Sequence, residues 1–280
     1  MNSVDVSVLM SVYIKEKPEY FKEALQSVLN QTLLAKEIVL VLDGPITPQL
    51  QAVIKAVQEE RPNLFEIVPL KENVGLGKAL AEGVKASHYE LIARMDTDDI
   101  MLPTRIEKQY GEFIKDPGLT IVGSNIDEFY DSPDEIVGRR IVPESYEDIC
   151  SFSKKRNPFN HMTVMFKKEA ILAVGNYQPM IGFEDYYLWA RLLKAGYKGK
   201  NIQESLVYAR TGENMYARRG GRKYFVNGLK GREAIYQAGL GSISDFLISC
   251  SVHVVISLLP NSLRASFYNK ALRKKNKKEV

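Results

Sequence analysis

Cysteine is almost missing from this chain. Cys150 and Cys250 are the only two among 280 residues, and they form neither a CxxC pair nor another metal-ligand spacing. A disulfide framework is therefore excluded, and a reducing cytoplasm suits the chain. Long apolar runs are missing too. Residues 246–260, FLISCSVHVVISLLP, come nearest, but they fall short of the ~18–20 residues a membrane-spanning helix needs and contain His253. Met1 is followed by Asn2-Ser3-Val4-Asp5 rather than by a basic and then apolar leader, so a cytoplasmic protein is expected. There is no internal repeat, and no low-complexity segment apart from the basic end. Charge of one sign is lacking over most of the length. The formal net charge is +4, but the last twenty residues hold seven Lys and Arg against the single Glu279. The rest is slightly acidic, which gives no reason to expect a nucleic-acid partner.

What remains is ordinary globular composition, 45% hydrophobic and 26% charged, long enough for a sizeable core. The first half alternates two periodicities. VSVLMSV (6–12) is a near-continuous apolar run, as a strand covered on both faces requires. Tyr20, Phe21, Ala24, Leu25, Val28 and Leu29 then recur at helical spacing behind Pro18. Further strands are predicted at 37–44, 65–70, 89–95 and 119–125, with helices at 47–60, 75–87 and 105–115 between them. This alternation implies right-handed crossovers and a parallel sheet. Ligands of such sheets sit at the carboxyl ends of the strands, and Asp43, Asn73 and Asp96 each fall just past one. Beyond residue 126 the alternation lapses. Residues 133–145 read as extended, NPFNHMTVMF as a loop and then a strand, and helical patterns return at 167–174, 184–195 and 223–238.

The chemistry concentrates in ARMDTDD (93–99). In an extended segment residues i and i+2 point the same way, so Asp96 and Asp98 can face one ligand. Paired carboxylates suit a hard divalent cation that also takes substrate phosphates. Alone, the pattern more often describes a solvated acidic turn before a helix. Asp43 closes VLVLDG, where it can accept from a pyrimidine N3–H or simply turn the chain before Gly44-Pro45. The glycines of ENVGLGKAL follow the third strand rather than the first, so they fail the dinucleotide fingerprint. Gly75 and Gly77 instead allow close backbone approach at a helix start that favours phosphate, with Lys78 adding a positive charge. Glu184 and Asp185 head a helix whose apolar side carries Leu188, Trp189, Leu192 and Leu193. Two acids there are ordinary helix-dipole chemistry, or one is a general base. His161 follows a proline turn and is structural unless it meets a ligand. Arg210, Arg218, Arg219, Arg222 and Lys223 gather around glycines in 209–224, as a solvated loop or as a lid over phosphate.

Taken in order, VSVLMSVYIKE, SVLNQT, VLVLDGP, ENVGLGKAL, ARMDTDDIMLPTRIEKQ, NPFNHMTVMF, VGNY and GFEDYYLWARLL resemble the family-2 glycosyltransferases. Among these the chain looks like the bacterial enzymes of exopolysaccharide and lipopolysaccharide assembly, the amylovoran-type group included. The likeness spans roughly residues 5–215. It implies an α/β fold of the GT-A type, a Rossmann-like sandwich with a mostly parallel central sheet flanked by helices and a C-terminal helical extension. It implies a catalytic domain over 1–240, with a nucleotide-sugar half (1–125) and an acceptor half (126–240), followed by an amphipathic, basic extension over 241–280. By resemblance, Ser11, Tyr13 and Asp43 lie near base and ribose, and Asn73, Gly75, Lys78, Asp96 and Thr97 complete the donor site. Asp98, with Asp96, holds Mn²⁺ or Mg²⁺. Asp185 deprotonates the acceptor hydroxyl beside Glu184, and His161, Trp189 and Arg210 contact acceptor or phosphate. The implied chemistry is an inverting displacement from a nucleotide-diphosphate sugar, UDP-linked, onto a saccharide or a polyprenyl-diphosphate-linked saccharide. Ile14 after Tyr13, Glu72 before Asn73 and Pro45 after Gly44 depart from the commoner family residues.

Three other readings compete. A sugar-nucleotide nucleotidyltransferase wants a glycine-rich, arginine-bearing loop after the first strand, where this chain has SVYIKEKP. A haloacid-dehalogenase-type phosphatase places its DxD directly after the first strand. A nucleotide-sugar-binding module without turnover differs only in activity. At the C-terminus, residues 246–259 and the basic end suit peripheral attachment to the inner face of the plasma membrane, or 246–259 packs on the body as a core helix.

Overall fold

The computed structural model describes residues 2–212 and 221–258. Arg218 and Arg219 of the expected lid, and the basic end over 261–280, lie outside the described residues. The first four strands are parallel in the order β3-β2-β1-β4: β1 (Ser3–Val12), β2 (Leu34–Leu42), β3 (Phe65–Pro69) and β4 (Leu91–Arg94). Local signals set the helices between them. Pro18 opens α1 (Pro18–Leu29), and Pro48 opens α2 (Pro48–Glu60) behind Thr47, whose hydroxyl accepts from the Leu50 N–H at 3.3 Å. Helix α3 (Leu76–Ala86) lies unusually close to the sheet. A Cβ at Gly83 would stand 2.3 Å from Leu9 and 2.8 Å from Val41, so glycine is what lets it approach. Phe21, Leu25 and Leu50 fill the core on one face of the sheet, and Leu80, Phe166 and Trp189 on the other.

Beyond β4 the sheet becomes mixed. The short β5 (Ile100–Met101) and α4 (Arg105–Lys115) lead to β6 (Leu119–Phe129), which does not pair with β4. The three-residue β8 (Met165–Lys167) lies between them, antiparallel to both. Strand β7 (Ile136–Arg140) folds back on β6, β9 (Lys198–Arg210) runs parallel to β6, and β5 pairs with β9. The remaining helices are α5 (Tyr146–Ser153), α6 (Lys168–Ala173), α7 (Glu184–Lys194), α8 (Gly221–Gln237) and α9 (Ile243–Leu258).

Two elements carry no clear sequence signal. The pairing of β9 with β6 has three register irregularities, which scramble the period-2 pattern of its buried residues. Helix α5 is eight residues long and buries only Ile149 and Ser153. Residues 246–258 of the apolar stretch are helical. Within α9, His253 and Ile256 are buried, while Leu247, Ile248, Val252 and Val255 are open.

Candidate active site

The ends of β1, β2 and β4 meet at one edge of the sheet. Just past β2, the Asp43 Oδ1 accepts from the Val74 N–H at 2.7 Å, and its Oδ2 accepts from the Asn73 side-chain amide at 3.0 Å. Gly44 follows at φ +84°, and a Cβ there would fall 2.7 Å from the Asn73 nitrogen. The loops after β2 and β3 are thus stitched together by a buried carboxylate. Ser11 is half-buried near the end of β1, and Tyr13 beyond it is 41% exposed. Gly75, at φ +86°, caps α3, whose first turn presents Lys78 to solvent.

Past β4 the chain makes the acidic turn. Carboxylate oxygens of Asp96, Asp98 and Asp99 all lie within 4.8 Å of one another. Burial, then the charges of Asp96 and Glu16, push the Asp98 carboxyl up to about 7. Burial, then the charges of Asp96 and Asp98, push Asp99 well above the ordinary carboxylate range. Protein groups offset part of this repulsion. The buried Arg94 guanidinium donates to Asp96, while its Nε and Nη1 find no partner among the described residues. The Arg210 backbone N–H donates to Asp99 Oδ1 at 2.7 Å, and its Nε donates to the Asp98 carbonyl at 3.0 Å. The Arg210 guanidinium lies 3.9 Å over Tyr20 and 4.5 Å from the Phe129 ring centre, and also pairs with Glu23. It braces the turn from behind and is committed to protein partners. The Thr97 hydroxyl donates to Glu16, which ties the loop after β1 to the same turn.

These residues fit a hard divalent cation. The donors are carboxylate oxygens with no thiolate or imidazole among them. Asp99 Oδ2 is buried without a partner among the described residues.

Helix α7 carries the second pair of acids. Asp185 is partly buried in its first turn, and its Oδ2 accepts from the Asn157 side-chain amide at 2.6 Å. Burial raises the Asp185 pKa, against the opposing pull of the Tyr186 backbone N–H and of Asn157. Burial raises Glu184 as well. A Cβ at Gly77 would stand 2.8 Å from the Glu184 Cγ. The phosphate-favouring end of α3 therefore lies directly against the acid beside Asp185, and the second glycine of ENVGLGKAL makes that room. Asn157 and Arg94 both stood in quoted segments, but Asn-Pro reads as a turn and an arginine at a strand end has no distinctive spacing.

Between the two sides sit His161 and Tyr177, whose ring nitrogen and hydroxyl are 2.9 Å apart. Burial, then the charge of Arg94, holds the His161 pKa well below its usual value, so the imidazole is neutral at pH 7. Trp189 requires a correction. It was expected to touch an acceptor, but it is 0% exposed and packs edge-on against Phe159 at 5.8 Å and Tyr177 at 6.3 Å. Its helical spacing with Leu188 and Leu192 marks the core face of α7 instead.

Comparison with known proteins agrees with this architecture. The profile of the family described as "Glycosyl transferase family 2" matches residues 7–174. The amylovoran biosynthesis glycosyltransferase AmsE of Erwinia amylovora is 38% identical over 268 residues, 94% of this chain and 98% of that one. The Escherichia coli UDP-Gal:alpha-D-GlcNAc-diphosphoundecaprenol beta-1,3-galactosyltransferase is 37% identical over 268 residues, 96% of each chain. In fold the chain resembles S. aureus TarS 1–349 in complex with UDP-GlcNAc, with a TM-score of 0.64 at 16% identity, over 96% of this chain and 75% of that one. The family match covers more than half of the sequence and both relatives align along nearly their whole length, so the chain belongs to glycosyl transferase family 2.

Proposed function

We propose that this glycosyltransferase moves a sugar from a UDP-linked donor to a saccharide carried on polyprenyl diphosphate, with inversion at the anomeric carbon, during synthesis of a bacterial surface polysaccharide. The observation that carries this reading is the seating of Glu184, and with it the Asp185 turn, against Gly77 at the start of α3. That contact sets an oriented carboxylate beside the strand-end loops suited to a nucleotide diphosphate. The name of the Erwinia amylovora relative supports the polysaccharide setting, and that of the E. coli relative supports a UDP-sugar donor and a lipid-diphosphate acceptor.

Each residue then has a task. Ser11, Tyr13 and Asp43 bind the nucleoside, with Asp43 and Asn73 held as one unit. The N-terminus of α3, with Gly75 and Lys78, faces the diphosphate. Asp98 with Asp96 would hold Mn²⁺ or Mg²⁺, and the ion would supply positive charge beside the diphosphate; Thr97 keeps their turn tied to the loop after β1. Asp185 takes the proton of the acceptor hydroxyl as that oxygen bonds to the anomeric carbon. The bond from that carbon to the diphosphate oxygen breaks with its electron pair on the diphosphate. Glu184 lines the same turn, and His161, neutral and paired with Tyr177, stands as a hydrogen-bonding group on the acceptor side.

The basic end over 261–280 would draw the protein to an anionic cytoplasmic leaflet at about 1 kcal/mol for each Lys or Arg near it. No helix among the described residues is long and apolar enough to cross a membrane.

The test is a donor screen with Mn²⁺, using UDP-, GDP- and dTDP-sugars with and without a GlcNAc-diphosphate lipid acceptor, read by nucleotide release and product mass. Acceptor-dependent UDP release with a β-linked product from an α-linked donor is expected. Donor binding without turnover on any acceptor would make the chain a binding module and sink the proposal. Unchanged membrane co-sedimentation after deletion of 261–280 would sink the role of the basic end.

A further inference from the structure

We infer that the open half of α9 is a docking surface for an anionic lipid leaflet, and that α8 locks its orientation to Asp185. This deepens the membrane attachment proposed above and rests on it, while the surface itself is independent of the donor chemistry.

Helix α9 carries a single charged side chain, Asp245, which caps its own helix through Ser242 and pairs with Lys155 at 3.2 Å. Ile243, Leu247, Ile248, Val252 and Val255 are each 46 to 57% exposed, and only serines lie among them on that half. Scattered exposed aliphatic residues need no explanation, but a charge-free half-cylinder of them marks an interaction surface. Sixteen residues of helix reach ~24 Å, less than the ~30 Å of a bilayer core, so α9 is suited to lie along a membrane and not to cross one.

Charge selects the occupant. The exposed Arg222 and Lys223 open α8, next to Tyr224 and Phe225, whose rings flank His253 of α9 at 5.1 and 6.1 Å. The sequence beyond α9 then adds seven basic residues against one acidic residue over 261–280. An uncharged aliphatic stripe with cations at one end matches acyl chains beneath anionic headgroups.

The opposite half of α9 is seated without slack. A Cβ at Gly228 would come within 2.1 Å of the His253 ring, and one at Gly231 within 2.4 Å of the Phe183 ring. Arg232 donates to the Ser249 and Gly228 carbonyls at 2.9 and 3.0 Å and lies 5.3 Å over Phe183. Phe183 immediately precedes Glu184 and Asp185. Two glycines thus press α8 between α9 and the catalytic turn, so a leaflet bound by α9 meets Asp185 at a fixed angle.

The experiment is co-sedimentation of the full chain with vesicles of phosphatidylglycerol and phosphatidylethanolamine, and with vesicles of phosphatidylcholine alone. Wild type should bind the anionic vesicles more strongly. Leu247→Glu combined with Val252→Glu should lower binding at least about tenfold, with an unchanged melting temperature and unchanged donor turnover on a short-chain, water-soluble acceptor. Equal binding by variant and wild type would overturn the inference. So would a wild-type dimer that these substitutions dissolve without any vesicle binding, since a second copy would then be the occupant. Vesicle binding that appears only after 261–280 is removed would also overturn it, since the chain's own end would then cover the face. If vesicle binding behaves as expected while no donor is turned over, the proposed reaction fails and the docking surface stands.

Discussion

Asn157 holds Asp185. The side-chain amide nitrogen of Asn157 donates to Asp185 Oδ2 at 2.6 Å, and the Asn157 side-chain Oδ1 accepts from the Phe159 N–H at 3.2 Å. One carboxylate oxygen of the proposed base is thereby oriented, and the other is left for an acceptor hydroxyl. The amide also favours the charged carboxylate, against a burial that disfavours it. Asn157→Ala removes the favourable partner, so the Asp185 pKa should rise further. The acid limb of kcat/KM should move to higher pH, kcat at neutral pH should fall about tenfold, and donor KM should stay unchanged. A pH–rate profile of wild type and variant checks this, and an unmoved acid limb would remove Asp185 from the role of base.

Asp98→Asn should separate activity from stability. Loss of the proposed metal ligand should lower kcat on the order of 10³-fold, and chelation of wild type should do the same until Mn²⁺ is restored. The metal-free protein should nonetheless melt higher in the variant, because one of three crowded carboxylates no longer repels the others. The thermal shift produced by Mn²⁺ should shrink at the same time. Melting curves with and without the ion, beside a nucleotide-release assay, test both halves.

How much of this was legible beforehand depended on whether a residue's job is local. Strands β1 to β4 and the helices between them follow from periodicity, because each is covered by its own crossover. The positions of Asp43 and Asp96 at strand ends and of Asp185 at a helix start were legible because the strand and helix periodicities end there; acids at such ends are common, so their expected roles came from the ordered family resemblance. Strand β9 was not, because its pairing with β6 is interrupted and its two-residue partner β5 lies far away in sequence. Asn157, Arg94 and Gly77 were not assigned these roles either. Each acts on a partner distant in sequence or in direction: Asn157 on Asp185, Arg94 toward His161, and Gly77 by lacking a side chain where Glu184 sits. Trp189 failed in the other direction. A single tryptophan beside two acids invites an acceptor-stacking reading, but the helical phase of α7 turns it inward.

A strap far from the site should make stability depend on pH. The buried Glu37 carboxylate accepts from Ser7, from the His88 backbone N–H at 2.7 Å, and pairs with His88 Nδ1 at 2.8 Å. The hydrogen bond to Glu37, then its charge, raises the His88 pKa above 6.5. The sign follows from linkage. The contribution is fully present below the unfolded value of about 6.5 and is lost as pH rises through the raised folded value. The His88 ring is largely exposed, so the effect is modest. Urea midpoints of wild type and His88→Gln should differ on the acid side and converge on the alkaline side. A gap that widened with pH would contradict the assignment.

Gly231 offers the sharpest test of how α8 supports the turn that carries the proposed base. In a helix interior, glycine to alanine ordinarily stabilises by about 1 kcal/mol. At Gly231 the new methyl would sit 2.4 Å from the Phe183 ring, and overpacking of that kind costs about 1–3 kcal/mol. The ring cannot move without displacing the start of α7, where Glu184 and Asp185 follow directly. Gly231→Ala should therefore melt lower than wild type and lose kcat several-fold. Gly111→Ala is the control. It lies in α4 with nothing within 4 Å of the added Cβ, so it should gain the propensity term and leave kcat alone. If both variants melted higher and kept full activity, α8 would be a passive neighbour of α7, and the rigid path from α9 to Asp185 would not exist.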